Sequence, residues 1–535
     1  MKRRQFLADC AKASLLAPLL PLASGLAAPA PERPDILLIM IDDAGFSDVG
    51  CFGGEIPTPN LDALARSGVR FTNFYAESVC APTRGSLLTG LYPQQAGLAI
   101  NNVKHDDPFW KSVGNKAYLG PRPEVSATIA ELLRPAGYQT FMTGKWHHGD
   151  YKGQWPCDRG FDRSFALIWG ASNHMQPRWA PFALDDKPFK DFPPDFYTTD
   201  YFTRYALQFL NEADRDRPLF LYLSYSAPHT PFQAPEEVLQ KYRDFYPSEF
   251  EKIRSQRLAR QKSLGLFRRQ TPLAPIEPWV TNGLSHERRA NLARNNNVYA
   301  AMVARLDQRI GEVLKTLRRL GRLENTLVIF LSDNGPAPGR GLPWACVGAT
   351  PLRGFKGNVY EGGIRVPFIA SWPGRTPPGT INRRQVGHVM DLVPTFLQVA
   401  GAAYPREIDG RRLLPLEGIS LAEALREPDH HRSRTHCWDH LGSSACRAGD
   451  LKLVRCYRHG FFRPEAQKEP PASWELYDLA ADPTETTDLA ARRPDKVQEL
   501  TDIYETWARR VGVLPRAEVL RHHAQWSAKQ QKEKP

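Results

Sequence analysis

Short, unbroken apolar runs punctuate the chain, and polar residues flank each of them. Asp35–Ile41 stops at Asp42-Asp43, and Leu219–Leu223 leads to Ala227-Pro228-His229. Leu327–Leu331 ends in Ser332-Asp333-Asn334, and Val366–Ala370 follows Glu361-Gly362-Gly363. Continuous runs of this length predict strands buried on both faces. Helical patterns fall between them, over Ala127–Leu133, Thr199–Asn211 and Asn291–Leu320. Thr58-Pro59 predicts a helix start, with threonine as cap and proline at the first helical position; the helix runs through Ala65 and Gly68 stops it. This alternation predicts an α/β core built on a mostly parallel sheet. Ligands on such sheets sit beyond the carboxyl ends of the strands, where this chain gathers its polar residues.

Asp391–Ala400 predicts a helix that closes the first domain, and Pro405–Gly418 reads as a linker. Beyond it, Ala448–Val454 and Trp474–Leu479 predict strands of a smaller sheet, covered by a helix over Lys496–Arg510. The charged residues from Lys529 onward predict a frayed end. The expected division is an export signal over 1–28, a catalytic domain over 33–403 and a smaller domain over 404–535.

At 535 residues the chain has room for a large first core and a second, smaller one. No internal run reaches the ~18 apolar residues of a membrane span, so no stable span is expected in the mature protein. The N-terminus reads as an export signal. Lys2, Arg3 and Arg4 precede an apolar stretch from Ala13 to Leu22, and small residues from Ala23 to Ala28 supply a cleavage zone. Arg3-Arg4-Gln5-Phe6-Leu7 resembles the twin-arginine motif, which implies bacterial export machinery as a partner and a periplasmic or secreted location. Eight cysteines are present, and none forms a C-x-x-C pair, which argues against a cysteine zinc site. Pairing among Cys51, Cys157, Cys346, Cys437, Cys446 and Cys456 is not legible. The net charge of +12 suits an anionic substrate. Much of it lies between Arg243 and Arg322, where a solvated helical face is expected. Aromatics are not interleaved with these basic residues, so nucleic acid is not an expected partner.

Cys80-Ala81-Pro82-Thr83-Arg84-Gly85 carries the most specific chemistry. A cysteine with proline two places on and arginine four places on matches a C-x-P-x-R pattern. Asp42-Asp43 and Asp333-Asn334 offer three carboxylates and an amide, the oxygen donors that calcium or magnesium prefers. Turn or helix-cap chemistry is the alternative for Asp42-Asp43 taken alone. Neighbouring strand residues point to opposite faces, so each pair converges only if the strand has ended and the chain has turned. Lys145, His147, His229 and Lys356 form a cationic group suited to charge that develops on an oxyanion.

Together these motifs resemble the type I sulfatases of the arylsulfatase kind, a branch of the alkaline phosphatase superfamily. The resemblance runs from Pro34 to about Arg510, through the hexad, Gly144–Gly149, Ala227-Pro228-His229, Ser332–Gly335, Glu361–Pro367 and Trp474–Leu479. It departs at Thr83, where serine is common, at His148, where leucine is frequent, and in the short segment between Asn334 and Pro351. The resemblance implies a large mixed sheet flanked by helices and a smaller C-terminal α+β domain with an antiparallel sheet. It implies that Cys80 is converted to formylglycine by a formylglycine-generating enzyme, and that the hydrated aldehyde is the nucleophile. Asp42, Asp43, Asp333, Asn334 and residue 80 would hold Ca2+, with Mg2+ as the alternative. Arg84 would position the diol, while Lys145 and Lys356 grip the sulfate. His229 would protonate the leaving oxygen and His147 would act as base, with His174 in a secondary place. The implied substrate is an aryl sulfate or a sulfated carbohydrate. Two other readings share the residues: a phosphonate monoester or phosphodiester hydrolase using the same formylglycine, and a non-catalytic binder of sulfated glycans.

Overall fold

The computed structural model describes residues 33–101, 106–177, 179–457 and 469–532. The expected signal over 1–28 lies outside them. The described residues from Pro34 onward form one compact unit. Among the described residues, no helix is long and apolar enough to cross a membrane.

A ten-stranded sheet organises this unit. Its order is Thr380–Asn382, Val69–Phe71, Phe368–Ser371, Thr326–Ser332, Asp35–Ile41, Leu219–Ser224, Gln139–Lys145, Arg163–Leu167, Phe182–Leu184 and Lys187–Phe189. The four strands from Thr326–Ser332 through Gln139–Lys145 pair in parallel, with Ile39 beside both Leu223 and Phe330. Phe368–Ser371 runs antiparallel to both of its neighbours, and Phe182–Leu184 does likewise. Every residue of Asp35–Ile41, Leu219–Ser224 and Thr326–Ser332 is buried, because helices cover both faces. One face packs Leu37, Ile39, Leu221, Leu223, Val328 and Phe330 against the helices Thr198–Glu212 and His286–Arg319. The other packs Ile36, Leu38, Met40, Ile329 and Leu331 against Leu392–Val399.

The helix expected to start at Thr58-Pro59 spans Pro59–Ser67, with Gly68 following. Thr58 does not cap it through its side chain; its hydroxyl instead accepts from Gly50 N–H at 2.8 Å. The longest helix begins before the expected Asn291, at His286, because Ser285 caps it by accepting from Arg288 N–H.

A four-stranded antiparallel sheet follows, in the order Thr435–His440, Ser443–Ala448, Leu451–Arg455, Glu475–Asp478. The expected strand over Ala448–Val454 is really the end of one strand and the start of the next. Gly449 adopts φ 60 and turns the chain between them. The hairpin closed by Leu441-Gly442 escaped the sequence reading, and it sets Cys437 opposite Cys446, sulfurs 3.1 Å apart. The helix Pro494–Val511 covers this sheet, and a further helix, Arg516–Lys532, includes the first of the residues expected to fray; 533–535 lie outside the described residues.

The basic stretch from Arg243 to Arg322 is not uniformly solvated. Arg257 is fully buried, bonded to Asp48 Oδ1 at 2.8 Å and to Glu55 at 2.6 Å. Arg340 reaches Asp48 Oδ2 at 2.7 Å, and Tyr299 donates its hydroxyl to the same oxygen. Burial opposes ionisation of Asp48, but the Arg340 and Arg257 guanidinium groups outweigh it and hold the carboxyl at about 2.

Asp48→Asn leaves Arg340 buried without its carboxylate, so a loss of about 3–5 kcal/mol is expected in chemical denaturation. The folded value lies below the ordinary 3.8, so the Asp48 contribution is full above that value and is lost as pH falls toward about 2. The wild-type minus variant difference in stability should therefore shrink across that window.

Candidate active site

The central strands all end at the same edge, and the polar residues that follow them meet there. Asp35–Ile41 stops one residue short of Asp42, and Asp43 takes a left-handed conformation with φ 67. That turn meets the condition for two adjacent carboxylates to face one point. Asp333 and Asn334 leave the next strand at Ser332, and Asp43 N–H donates to Asp333 Oδ1 at 3.1 Å. Asn334 Nδ2 donates to Asp43 Oδ1 at 2.7 Å. All four side chains are buried.

Cys80 is the first residue of the helix Cys80–Thr89, and its sulfur lies 3.4 Å from Asp42 Oδ1 and 3.9 Å from Asp43 Oδ1. Lys356 Nζ sits 3.0 Å from that sulfur and 2.5 Å from Asp43 Oδ1. Lys145 closes its strand with Nζ on Asp42 Oδ2 at 2.6 Å. His229 places Nε2 3.4 Å from Asp43 Oδ2, while its Nδ1 bonds the Thr230 carbonyl. Asp42, Asp43, Cys80 and His229 each offer a donor atom within 4.8 Å of the others. The structure thus brings Asp42, Asp43, Cys80, Lys145, His229, Asp333, Asn334 and Lys356 together.

Arg84 is one turn along the same helix and is fully buried. Nη2 pairs with Asp333 Oδ2 at 2.9 Å; Nη1 donates to the Lys145 carbonyl at 2.9 Å, Ser224 Oγ at 2.6 Å and Tyr222 hydroxyl at 3.3 Å. Thr83, the departure from serine, keeps its hydroxyl in use by donating to the Asp333 carbonyl at 2.7 Å. Ser224 and Tyr222 escaped the sequence reading. Their only signal was their place at the end of the strand Leu219–Ser224.

His147 adopts φ 49 and lines a pocket of about 390 Å³ with Ala81, Leu98, Trp169 and Trp179. Burial, then the charges of Lys145 and Arg84, hold its imidazole well below the ordinary value, so it is neutral. His174 braces a neighbour: its Nε2 meets the His229 carbonyl at 2.8 Å and its Nδ1 meets Thr198 Oγ1 at 2.7 Å. His148 is buried edge-on to Trp146, away from these contacts.

The electrostatics are finely opposed. Burial raises Asp42, with Asp333 adding to the effect. Burial also opposes ionisation of Asp43, yet Lys356 and His229 leave it lowered. Asp333 is driven far down despite its burial, chiefly by Arg84 and Lys145. Burial, reinforced by Asp333, pushes the Cys80 thiol far up, so an unmodified cysteine here is a poor nucleophile. Asn334 Oδ1 is buried without a hydrogen-bond partner among the described residues, and Asp43 Oδ2 has only the 3.4 Å contact with His229 Nε2. Such oxygens beside two further carboxylates fit a hard divalent cation.

A doubly covered α/β sheet with acidic, amide and lysine side chains around one residue at its strand ends defines a hydrolase of the alkaline-phosphatase-like fold. Comparison with known proteins gives the family. The sulfatase family model matches residues 34–402, and the model of the N-sulphoglucosamine sulphohydrolase C-terminal region matches 355–505. The chain belongs to the sulfatase family. It is 33% identical to an uncharacterised sulfatase of Schizosaccharomyces pombe, over 90% of this chain and 95% of that protein. It is also 33% identical to an arylsulfatase of Klebsiella aerogenes, over 77% of this chain and 96% of that one. The solved structure of Ps i-CgsB in complex with k-i-k-neocarrahexaose aligns with a TM-score of 0.67 at 26% identity, covering 89% of this chain and 93% of that one. The protein is a sulfatase, an enzyme that hydrolyses sulfate esters.

Arg84→Met should leave Asp333 a buried, unpaired charge, with a loss of about 3–5 kcal/mol in urea denaturation. Tyr222→Phe removes one neutral acceptor and should cost about 1 kcal/mol. Equal effects from the two would contradict the central place given to the Arg84–Asp333 pair.

Proposed function

We propose that residue 80, as the hydrate of formylglycine, is the nucleophile of this sulfatase, and that the surrounding residues divide the remaining work. The observation that carries this reading is the meeting of Asp42, Asp43, Lys145 and Lys356 around the Cys80 side chain. A thiol held protonated by burial is ill suited to attack, whereas a hydrate offers two hydroxyls on one carbon. One attacks sulfur. The second, on losing its proton, expels the sulfate as the aldehyde reforms.

Lys145, paired with Asp42, and Lys356, paired with Asp43 and 3.0 Å from the residue-80 sulfur, hold the sulfate oxygens. His229 donates its Nδ1–H to the Thr230 carbonyl and sets Nε2 3.4 Å from Asp43 Oδ2; in its imidazolium form it gives the Nε2 proton to the departing alcohol oxygen. Neutral His147 takes the proton from the second hydroxyl of residue 80. Arg84 is a positioning residue: its Nη atoms are committed to Asp333, Ser224, Tyr222 and the Lys145 carbonyl. Asp42, Asp43, Asp333, Asn334 and residue 80 would hold a divalent cation, calcium in this reading. When bound, that ion would favour the ionised form of a hydroxyl on residue 80.

The substrate is an aryl sulfate or a sulfated carbohydrate. Trp169 and Trp179 beside His147 support a flat ring in the leaving group. A formylglycine-generating enzyme would act on Cys80 before export, which the twin-arginine pattern supports. The mature enzyme would then reside in the periplasm or outside the cell, with residues from 404 onward forming its smaller domain.

Mass spectrometry of the peptide spanning residue 80 should show the thiol exchanged for an aldehyde; an unmodified cysteine in active enzyme would overturn the nucleophile assignment. Cys80→Ala should abolish aryl sulfate turnover with an unchanged circular dichroism spectrum. Lys356→Ala should lower kcat by about 10²–10³-fold while the protein still folds. Chelation should remove activity and Ca2+ should restore it, whereas activity indifferent to both would remove the metal from the reading.

A further inference from the structure

Behind the helix that carries Cys80, three buried side chains from distant parts of the chain meet. Glu77 precedes that helix, His388 ends the strand Gly387–His388, and His436 lies in the strand Thr435–His440. They are 3%, 1% and 2% exposed. Glu77 Oε1, His388 Nε2 and His436 Nε2 all lack hydrogen-bond partners among the described residues. Each of the three residues offers a ligand atom within 4.8 Å of the others. The two imidazoles lie against one another with ring centres 4.1 Å apart. No sequence spacing announces this group, because its members come from three separate segments.

Glu77 Oε1 stands 3.5 Å from His388 Nε2. That is long for a hydrogen bond, but ligands bonded at about 2.0–2.1 Å to one tetrahedral ion lie about 3.4 Å apart. Leaving such groups unsatisfied costs about 1–3 kcal/mol each. Burial, with the charge of Arg434, keeps both imidazoles neutral. Their Nδ1 atoms face the N–H donors Met390 N at 3.3 Å and Arg434 Nη2 at 3.5 Å, so metal binding through Nε2 would move each ring proton to Nδ1. Burial pushes the Glu77 carboxyl up to about 8, which marks a carboxylate without a counter-charge. Arg434 does not supply one, since Asp391 holds it through two contacts of 2.6 Å. Two imidazoles and one carboxylate suit zinc better than calcium, which prefers oxygen alone. The surroundings resemble an outer ligand shell: the Ala76 carbonyl reaches the His388 ring, and Tyr92 hydroxyl lies 3.5 Å from His436 Nδ1. The Met390 N–H contact with His388 Nδ1, at 3.3 Å, would loosen as that nitrogen takes the ring proton.

We propose that Glu77, His388 and His436 bind one zinc-class divalent cation, a structural site apart from the Cys80 cluster that ties the segment leading to Cys80 to the C-terminal sheet. Elemental analysis of the full-length enzyme, kept in calcium, should find about one equivalent of zinc. Crystals should show an anomalous peak at the zinc edge between these three side chains. Zn2+ added to chelator-treated, calcium-replenished enzyme should raise Tm, and the Glu77→Gln/His436→Gln variant should show neither the equivalent nor the rise. An ordered water at that point without anomalous signal, or equal zinc uptake by the variant, would overturn the proposal. Should the variant not fold, the wild-type anomalous map decides alone.

Discussion

The pocket depends on one guanidinium. Arg84 leaves the helix Cys80–Thr89 and bonds to three structural neighbours at once: Asp333 after one strand, Ser224 and Tyr222 on a second, and the Lys145 carbonyl on a third. Those strands lie on both sides of the central strand Asp35–Ile41 or one place beyond it. A planar fork with several fixed donors can span them, whereas a lysine would present a single point charge. The helix carrying Cys80 is thereby held over the carboxyl ends of the sheet, and the sulfur arrives within contact distance of Asp42 and Lys356.

Burying so many charges is tolerable only because they are paired. Asp42 has Lys145, Asp43 has Lys356, and Asp333 has Arg84. Each pairing joins a strand-end carboxylate to a cation from a different segment, so the charges fix the loops as well as one another. The same low-polarity setting that makes these pairs costly to break also makes their fields strong at the reacting atoms. Stability and chemistry draw on the same contacts here.

The C-terminal sheet is joined to the larger sheet by a second buried set. Lys452 reaches both Glu361 and Glu485 at 2.8 Å, and Trp438 donates its indole N–H to the Ala76 carbonyl. Glu361 opens the short helix Glu361–Ile364, a few residues beyond Lys356. The position of Lys356 is thus coupled through one short segment to the smaller sheet. The region matched by the C-terminal family model starts at 355, within the residues matched by the catalytic one, in keeping with that coupling.

Periodicity alone determined the strands Asp35–Ile41, Leu219–Ser224 and Thr326–Ser332 to within a residue, because a strand buried on both faces has nowhere to place a polar side chain. The sequence also determined which chemical groups were on hand: the hexad at Cys80, the paired acids and the isolated lysines and histidines. It left the hairpin at Leu441-Gly442 hidden, since its strands mix polar and apolar residues and the split at Gly449 turns on a backbone angle. Ser224, Tyr222 and the meeting of Glu77 with His388 and His436 were equally hidden. Only the tertiary structure decided those, because they are contacts between segments far apart in the chain. Which side chains share a pocket depends on the order and direction in which strands assemble, and local pattern carries no record of that order.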